Sequence, residues 1–353
     1  MLHRFSKFLV ACTVLLILAG SLVTSHDAGL SVPDWPTSYG WNMFTFPPSM
    51  WVANILYEHG HRLIASTVGF LTIIMALWLW FADPRRWMRW FGVATLGSVV
   101  AQGLLGGLTV LFFLPAAIST AHAGLAEIFF CMTVAIAIFT SPGWIAGYDR
   151  QVGTGVGTDV GTGLQAGPGP SPRALATATT VLIYTQILIG ATMRHTGAGL
   201  AIPDFPWMFG HVVPDHWSAK IAIHFAHRLG ALVVTLSVIT LASAVWSRYR
   251  DRPELTRPAA LLVALVAAQV TLGAATVLTA RDVWINSVHV VCGALVLTTS
   301  LVITLRSWRD RFAYATVRLK PDTTEASVTP REPSSLVSAI SASSAVKHNG
   351  AHA

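Results

Sequence analysis

Long apolar runs alternate with short polar stretches along this chain, and the runs are long enough to cross a lipid bilayer. A membrane-spanning helix needs about 20 predominantly apolar residues, and eight segments approach or exceed that length. We expect several to extend a turn or two further, the sixth back to about Trp217. The pattern predicts an all-α polytopic membrane protein with eight transmembrane helices. The segments are Phe8–Thr24, Leu63–Ala82, Trp90–Leu114, Ala116–Thr140, Ala174–Met193, Leu229–Trp246, Pro258–Ala280 and Val283–Leu305.

Composition supports this class of protein. Of the 353 residues, 53% are hydrophobic and only 11% are charged, whereas soluble domains carry about 25% charged residues. Cys12, Cys131 and Cys292 all fall within apolar stretches. No cysteine therefore stands in a loop beside a partner, and neither a disulfide nor a thiolate metal site is indicated.

The formal net charge of +7 could indicate nucleic-acid binding, but its placement has another explanation. Arginine and lysine cluster at the chain start, in the loops 83–89 and 247–257 and after residue 305, whereas the loops 25–57 and 195–216 contain neither. Basic loops stay on the cytoplasmic side of a membrane. We therefore expect a multi-pass protein of the bacterial cytoplasmic (inner) membrane, with both termini cytoplasmic, lipid around it and no nucleic-acid partner.

The chain contains an internal repeat, which separates it into two halves. Residues 20–40 align without gaps to residues 190–210, at a constant offset of 170. His61-Arg62-Leu63 recurs as His227-Arg228-Leu229, and Gln102, Gly106 and His122 recur 167 residues later. Because each half has an even number of spans, both halves face the same way, as in parallel repeats. The repeat predicts two pseudo-symmetric four-helix bundles.

These halves define the expected domains. They are an N-terminal four-helix half over 8–140 and a C-terminal four-helix half over 174–306. The Gly/Thr/Pro-rich segment within 141–173 predicts a flexible cytoplasmic linker, and the Ser/Thr/Ala/Pro-rich tail over 307–353 is expected to be largely disordered. The basic start and first apolar run also fit a cleaved signal peptide. The recurrence of the residues that follow it, near residue 200, favours a retained helix instead.

Two pairs of histidines are the main candidate functional groups. His61 and His227 lie near the outer end of the second helix of their half, and His122 and His289 near the outer end of the fourth. Matched depth on different helices suits a heme whose iron takes one imidazole on each face. Hydrogen bonding between helices is the alternative for any single histidine. Zinc or copper is the lesser option, because no carboxylate or thiolate cluster completes a smaller site.

An arginine follows the first histidine of each pair. Arg62 and Arg228 are candidates to bind heme propionates near the outer surface. The alternative, which the sequence leaves open, is an arginine that extends to the membrane interface for its own hydration.

The two halves differ three residues before these histidines. Glu58 precedes His61, whereas His224 precedes His227. The i, i+3 spacing places Glu58 on the same helix face as His61, where a carboxylate is suited to act as a base toward a bound substrate. This difference indicates catalysis in the first half and electron transfer in the second, although an ordinary interfacial glutamate remains the alternative.

These residues together resemble the heme A synthase family, over about residues 8–306. Glu58-x-x-His61-Arg62 combined with the duplicated outer loop is the specific part of the resemblance. The motifs and their echoes are Ala28-Gly29-Leu30-Ser31-Val32-Pro33-Asp34-Trp35-Pro36, Glu58-x-x-His61-Arg62, His122-Ala-Gly-Leu, Gly199-Leu200-x-x-Pro203-Asp204-Phe205-Pro206, His227-Arg228 and His289.

The resemblance implies an enzyme of heme A biosynthesis and cytochrome oxidase assembly. Such an enzyme oxidises the C8 methyl of heme O to a formyl group by successive hydroxylations, with water supplying the oxygen. By similarity, His61 and His122 would hold the substrate heme, with Glu58 catalytic, and His227 and His289 would hold a permanent heme b. The partners implied are heme O, heme O synthase and an electron acceptor in the membrane, with a homo-oligomer left open.

One departure from the family stands in the first outer loop. Many members carry a cysteine pair there, whereas this loop has none and Ser38 occupies the Trp-Pro-Thr-Ser-Tyr stretch. The chain therefore resembles a cysteine-less subgroup. Two other classes of function remain: a non-catalytic di-heme cytochrome b that carries electrons, and a heme-binding assembly or transport protein.

Overall fold

The protein is all-α in the residues that the structure, a computed structural model, describes: 1–145 and 172–317, with side chains to 309. Eight helices are long and apolar enough to cross a membrane, as the hydrophobic pattern predicts. One further helical turn follows the fourth, at Pro142–Ile145. The eight are α1 (Leu2–Ser25), α2 (Asn54–Ala82), α3 (Arg86–Leu111), α4 (Ala116–Phe139), α5 (Pro172–His195), α6 (Ala219–Arg248), α7 (Pro253–Leu278) and α8 (Val283–Val317).

Two helices begin well before the apolar runs that predict them. Helix α2 begins at Asn54 rather than near Leu63, and α6 begins at Ala219, two residues after Trp217. Ser218 caps α6, and its Oγ accepts a hydrogen bond of 3.3 Å from the backbone N–H of Ile221. The polar first turns of α2 and α6 contain the candidate histidines, so the added turns belong to the site.

The surface of the helices is apolar, as lipid contact requires. Phe70, Phe81 and Leu236, on α2 and α6, expose more than half of their side chains. Inside, one buried apolar cluster gathers around Leu9, Met75 and Phe129 in the first half, and a second cluster lies in the second half. An apolar exterior around eight spanning helices is typical of a protein surrounded by lipid. The chain is a multi-pass membrane protein.

The first four helices form a closed ring of contacts. Helix α1 packs on α2, α2 on α3, α3 on α4, and α4 returns to α1. In the second half α5 packs on α6 and α6 on α7, and α8 joins α5 through a 2.8 Å hydrogen bond between Ser300 Oγ and Thr180 Oγ1. Helices α4 and α5 join the halves. The pseudo-symmetric relation of the two bundles stays a prediction.

Both long outer loops contain the same local turn. A backbone pair joins Ser38 to Trp41 in the first loop and Met208 to His211 in the second. The glycine within each turn, Gly40 or Gly210, has a positive φ of 76° or 80°, which glycine adopts without steric cost.

The two segments expected to be flexible lie mostly outside the described residues, at 146–171 and after 317. Their described edges are helical: α5 begins at Pro172, and α8 continues to Val317, beyond the predicted end at Leu305. Hydropathy marks only the part of a helix that lies among lipid, and the polar last turns of α8 fall outside that part.

Candidate functional site

The four candidate histidines lie at similar distances from the outer ends of their helices. His61 stands seven residues into α2 and His122 six into α4, while His227 stands eight into α6 and His289 six into α8. With a rise of 1.5 Å per residue, these positions are about 9 to 12 Å along their helices. The structure therefore places the two histidines of each predicted pair at matching depth in their half.

A glycine on the neighbouring helix makes room for each imidazole. A Cβ added to Gly20 would lie 2.9 Å from Cε1 of His61, and one added to Gly190 would lie 2.8 Å from Cε1 of His227. Gly106 and Gly273 stand in the same relation to the other two histidines, at 3.1 Å. Each ring thus occupies the space that a side chain would fill, which fixes the approach of the histidine.

Glutamines hold three of the four histidines. Gln102 Nε2 donates to the backbone oxygen of His122 at 2.9 Å and lies 3.4 Å from its Nε2. Gln269 Nε2 lies 3.4 Å from Nε2 of His289. The third, Gln186 on α5, lies 3.0 Å from Nδ1 of His227 and donates to its backbone oxygen at 2.7 Å. Gln102 and Gln269 are equivalent residues of the internal repeat. Gln186 corresponds to Leu16, so comparing the two halves of the sequence could not have identified it.

The donor set fits a heme held between two imidazoles. One buried ring nitrogen of His61, of His122 and of His289 has no hydrogen-bond partner. A buried polar atom left unpaired costs free energy, and a bond to iron removes that cost. In the described part of the chain no three His, Cys, Asp or Glu side chains gather to hold a metal ion. The four histidines, which the sequence predicts as ligands, are the residues that could hold heme iron.

In the first half, Arg62 and Glu58 hold the outer loop. Arg62 Nη1 donates to the backbone oxygens of Asp34 at 2.7 Å and Thr37 at 3.0 Å. Its Nη2 donates to the backbone oxygen of Val32 at 2.8 Å and to Glu58 Oε1 at 2.7 Å. The other oxygen of Glu58 accepts a hydrogen bond of 2.7 Å from the backbone N–H of Val32. This buried pair closes the loop over the first helical turns of α2.

The second half repeats this arrangement with different chemistry. Arg228 Nη1 donates to Trp207 O at 3.0 Å, and its Nη2 donates to Ile202 O at 3.0 Å and Asp204 O at 2.7 Å. Its Nε donates to His224 Nε2 at 3.2 Å. Nδ1 of His224 lies 3.3 Å from the backbone N–H of Ile202. His224 therefore occupies the place of Glu58, but a neutral imidazole accepts at one ring nitrogen only, so it can make one of the two hydrogen bonds that Glu58 makes.

Most of the donors of Arg62 and Arg228 are thus directed at loop carbonyl oxygens. Their assignment to heme propionates stays a prediction, and the structure adds a role that the sequence did not indicate. Glu58 is likewise held at both oxygens by the loop and by Arg62. Each carboxylate oxygen can accept a second hydrogen bond, so a role toward substrate is compatible with these contacts.

The aspartate of each outer loop organises the turn beneath it. The Asp34 carboxylate accepts hydrogen bonds from Tyr39 N at 2.7 Å and Gly40 N at 2.8 Å. Asp204 accepts equivalent bonds of 2.9 Å from Phe209 N and Gly210 N. Burial raises the pKa of Asp34, but the hydrogen bonds outweigh it and the pKa is lowered. The bonds from Gly210 and then Phe209 lower the pKa of Asp204.

The cysteine-free first loop is closed by other contacts. Ser38 Oγ lies 3.1 Å from Nδ1 of His59, which is fully buried. The His59 ring packs against Phe46 and Trp51, with ring centroids 4.8 Å apart in both cases. His59 therefore faces the loop, away from the predicted heme pocket.

Glu127 remains a buried carboxyl without an assigned role. It lies on α4, and its Oε2 has no hydrogen-bond partner. The nearby amide of Gln102 hydrogen-bonds to His122 and not to this carboxyl.

The fold and the repeated histidine pairs define an all-α membrane protein with a duplicated four-helix unit in its sequence. Residues 3–301 match the model of a family described as cytochrome oxidase assembly protein, COX15-CtaA. The chain belongs to this family, as its motifs predict.

Curated relatives named heme A synthase cover most of the chain. The protein of Symbiobacterium thermophilum is 30% identical over 269 residues, which are 75% of this chain and 81% of that protein. The protein of Shouchella clausii is 29% identical over 75% of this chain and 83% of its own length. The protein of Halalkalibacterium halodurans is 26% identical over 88% and 99%, respectively.

Proposed function

We propose that this chain is a heme A synthase, an oxidoreductase that converts the C8 methyl of heme O to the formyl group of heme A for cytochrome oxidase assembly. The names of its relatives support a role in heme A biosynthesis. The observation that carries the proposal is the repeated pair of glycine-flanked histidines, with a carboxylate beside one pair alone.

The reaction proceeds through two hydroxylations that use water. In the first, the methyl group and one water give a hydroxymethyl group, two protons and two electrons. In the second, the hydroxymethyl group and another water give a geminal diol, again with two protons and two electrons. Loss of water from the diol leaves the formyl group. The four electrons leave the site to an acceptor in the membrane.

The halves take different parts in this proposal. His61 and His122 hold the substrate heme O, and His227 and His289 hold heme b. Bound heme b supplies one-electron redox chemistry between the substrate site and the acceptor. The glycine beside each imidazole supports these assignments, because it lets the ring reach into the space between helices.

Glu58 is the proposed catalytic base. It lies three residues before His61, on the same face of α2, and its two hydrogen bonds fix the direction of the carboxylate. A carboxylate in this position accepts the proton that a hydroxylation releases. It also stabilises positive charge that develops on the carbon being oxidised.

A di-heme electron carrier is the second candidate, and one observation favours it. Glu58 and His224 occupy the same place between the loop and the adjacent arginine. The difference between the halves therefore has a structural explanation that needs no catalysis. The two candidates differ in whether heme A is formed.

Heme extraction separates these candidates. We would express the chain in membranes that contain heme O but no other heme A synthase, and then identify the extracted hemes by chromatography. The proposal expects heme A together with a hydroxylated intermediate. If both hemes bind and neither product is found, the chain is an electron carrier. The matched control is His216→Ala, because His216 lies in the outer loop with its side chain 59% exposed.

The proposed setting follows from the same assignment. Heme O would arrive from heme O synthase in the bacterial cytoplasmic membrane. Both termini would be cytoplasmic, which places the two long loops and the histidine-bearing helix ends on the outer side. A cysteine introduced into the loop 26–53 should react with an impermeant thiol reagent in intact cells, and one introduced at the exposed Pro84, between α2 and α3, should not.

A further inference from the structure

Two arginines of the second half come together where the halves meet, at the outer end of the helices. Arg194 ends α5, and its Nη2 donates to Ser21 O at 2.9 Å and to Ser25 Oγ at 2.8 Å, both on α1. Arg281 lies in the turn before α8. Both guanidinium groups border residues 25–27, Arg194 at Ser25 and Arg281 at Asp27. Two like charges placed there repel each other, so some other contact must compensate for their approach.

Little negative charge is available to compensate for it. In the described part of the chain, the ion pair that these arginines make is with Asp27, whose Oδ1 lies 3.9 Å from Nη2 of Arg281. The side chain of Asp27 is 85% exposed, so water screens its charge. Arg194 forms no ion pair within 4 Å in the described residues. The described residues therefore compensate only part of the positive charge of Arg194 and Arg281.

The repeat shows that these charges are specific to the second half. Arg194 corresponds to Thr24 at the offset of 170, and Arg281 corresponds to Leu114 at the offset of 167. The side chain of Leu114 lies 3.3 Å from the position of a Cβ on Gly29, and Arg281 Cδ lies 3.8 Å from that on Gly199. The same backbone position thus carries an apolar group in one half and a cation in the other.

The arginine pair lies beside the predicted heme b site. Ser25 Oγ, to which Arg194 donates, also accepts a hydrogen bond of 3.1 Å from Asn286, three residues before His289. The arginine next to the other predicted ligand, Arg228, already donates from Nε, Nη1 and Nη2 to His224 and to three backbone oxygens of the outer loop. Arg194 and Arg281 are therefore arginines near this site whose donors the outer loop does not take.

We propose that Arg194, with Arg281, binds a propionate carboxylate of the heme held between His227 and His289. This inference rests on the proposed heme b site in the second half. Guanidinium groups bind carboxylates through short, charge-assisted hydrogen bonds. A cation beside a heme also favours the reduced, more negative state over the oxidised state.

Redox titration of the purified full-length protein tests this site without measuring heme A formation. Arg194→Gln should lower the midpoint potential of heme b, Arg194→Lys should restore most of it, and Arg281→Gln should lower it by a smaller shift. Because Arg194 also joins α5 to α1, the Arg281 variant provides a second test in case Arg194→Gln does not fold. Arg86→Gln is the matched control, since Arg86 is exposed at the opposite end of the helices.

Infrared redox difference spectra then distinguish a direct contact between Arg194 and a propionate from the effect of a positive charge that lies further away. With heme carrying ¹³C-labelled propionate carboxyls, the propionate bands should shift in Arg194→Gln and stay in place in Arg86→Gln. An unchanged midpoint potential, a changed potential without a band shift, or an equal change in Arg86→Gln would overturn the proposal. If the wild-type protein binds no heme b, this inference and the proposed function both fail. If heme b binds but its midpoint potential is unchanged in both arginine variants, this inference fails and the proposed function stands.

Discussion

The two outer loops are held by the same set of contacts but with different charges. Glu58 pairs with Arg62 at 2.7 Å in the first half, and His224 takes that place beside Arg228 at 3.2 Å in the second. Each residue also lies within hydrogen-bonding distance of a backbone N–H of its loop. Glu58 Oε2 lies 2.7 Å from Val32 N, and His224 Nδ1 lies 3.3 Å from Ile202 N. Holding the loop therefore does not require a carboxylate. What the first half gains from Glu58 is a buried negative charge next to a predicted heme ligand.

The largest effect should come from removing an iron ligand in one half alone. His227→Ala should abolish the low-spin heme b spectrum, because two axial imidazoles produce that state. His61→Ala should keep the spectrum and lose substrate binding. Visible absorption and electron paramagnetic resonance of the purified variants measure this. A low-spin heme b signal that survives in His227→Ala contradicts the assignment of the halves.

Replacing the carboxylate should separate loop holding from catalysis. Glu58→Gln should reduce heme A formation by about 100-fold or more, the usual range for a lost general base, and keep heme b. Glu58→His copies the second half, where Arg228 still donates to the loop carbonyl oxygens beside His224, so it should keep the contacts of Arg62 to the loop and still form no product. Chromatography of extracted hemes gives the yield in both variants.

The control for these variants is Glu254→Gln, in the first turn of α7, where the carboxylate pairs with Arg252 at a partly exposed position. Such a pair contributes little to stability, so this variant should form heme A as the wild type does. Normal product from Glu58→His would remove Glu58 from catalysis and favour the electron carrier.

The glycines beside the histidines should show a smaller, half-specific effect. In Gly190→Ala the new methyl group would lie 2.8 Å from Cε1 of His227, and such overpacking costs about 1 to 3 kcal/mol. Heme b binding should weaken by about tenfold, whereas Gly20→Ala should weaken substrate heme instead. Titration of the heme-free protein measures both. Gly69→Ala is the control, because no atom lies within 4 Å of its added Cβ, and equal weakening there would disprove the effect.

The smallest effect should be a pH response that both loops share. Asp34 and Asp204 have pKa values lowered from the ordinary 3.8. A carboxyl of this kind stabilises its turn at pH values above 3.8 and loses that contribution as the pH falls through the lowered pKa. Hydrogen-exchange protection of the Tyr39 and Phe209 amides should therefore fall together in acid. Asp34→Asn should remove the response from the first loop alone, and persistence of that response would contradict it.

Hydropathy and the internal repeat predict most of the architecture. The eight helices follow from the apolar runs, and the histidines follow from comparing the two halves. The start of α6 at Ala219 agrees with the expected extension to about Trp217. The early start of α2 does not follow from hydropathy, because the first turns of both helices contain polar side chains such as Glu58 and His224. Those groups are satisfied by contacts to a distant loop, which a scan for apolar runs does not detect.

The sequence could also predict the part of the site whose residues recur in the internal repeat. Gly20, Gly106 and Gln102 recur in the second half, so the repeat marked them even though their contacts with histidines were not foreseen. Gln186 and Arg194 have no equivalents in the first half and gave no repeat signal. Their roles depend on which helices pack together, and α5 meets α1 only in the folded protein.

The contact between the first and last spanning helices has a consequence for biogenesis. Ser25 Oγ lies 2.9 Å from Ser287 Oγ and accepts a hydrogen bond of 3.1 Å from Asn286, both on α8. Unpaired polar groups are costly among lipid. Ser25, to which Arg194 of α5 also donates, gains its remaining partners only when the last helix is inserted. A chain truncated before α8 should keep this exposed polar edge, by which the quality-control proteases of the membrane can recognise an unfinished protein.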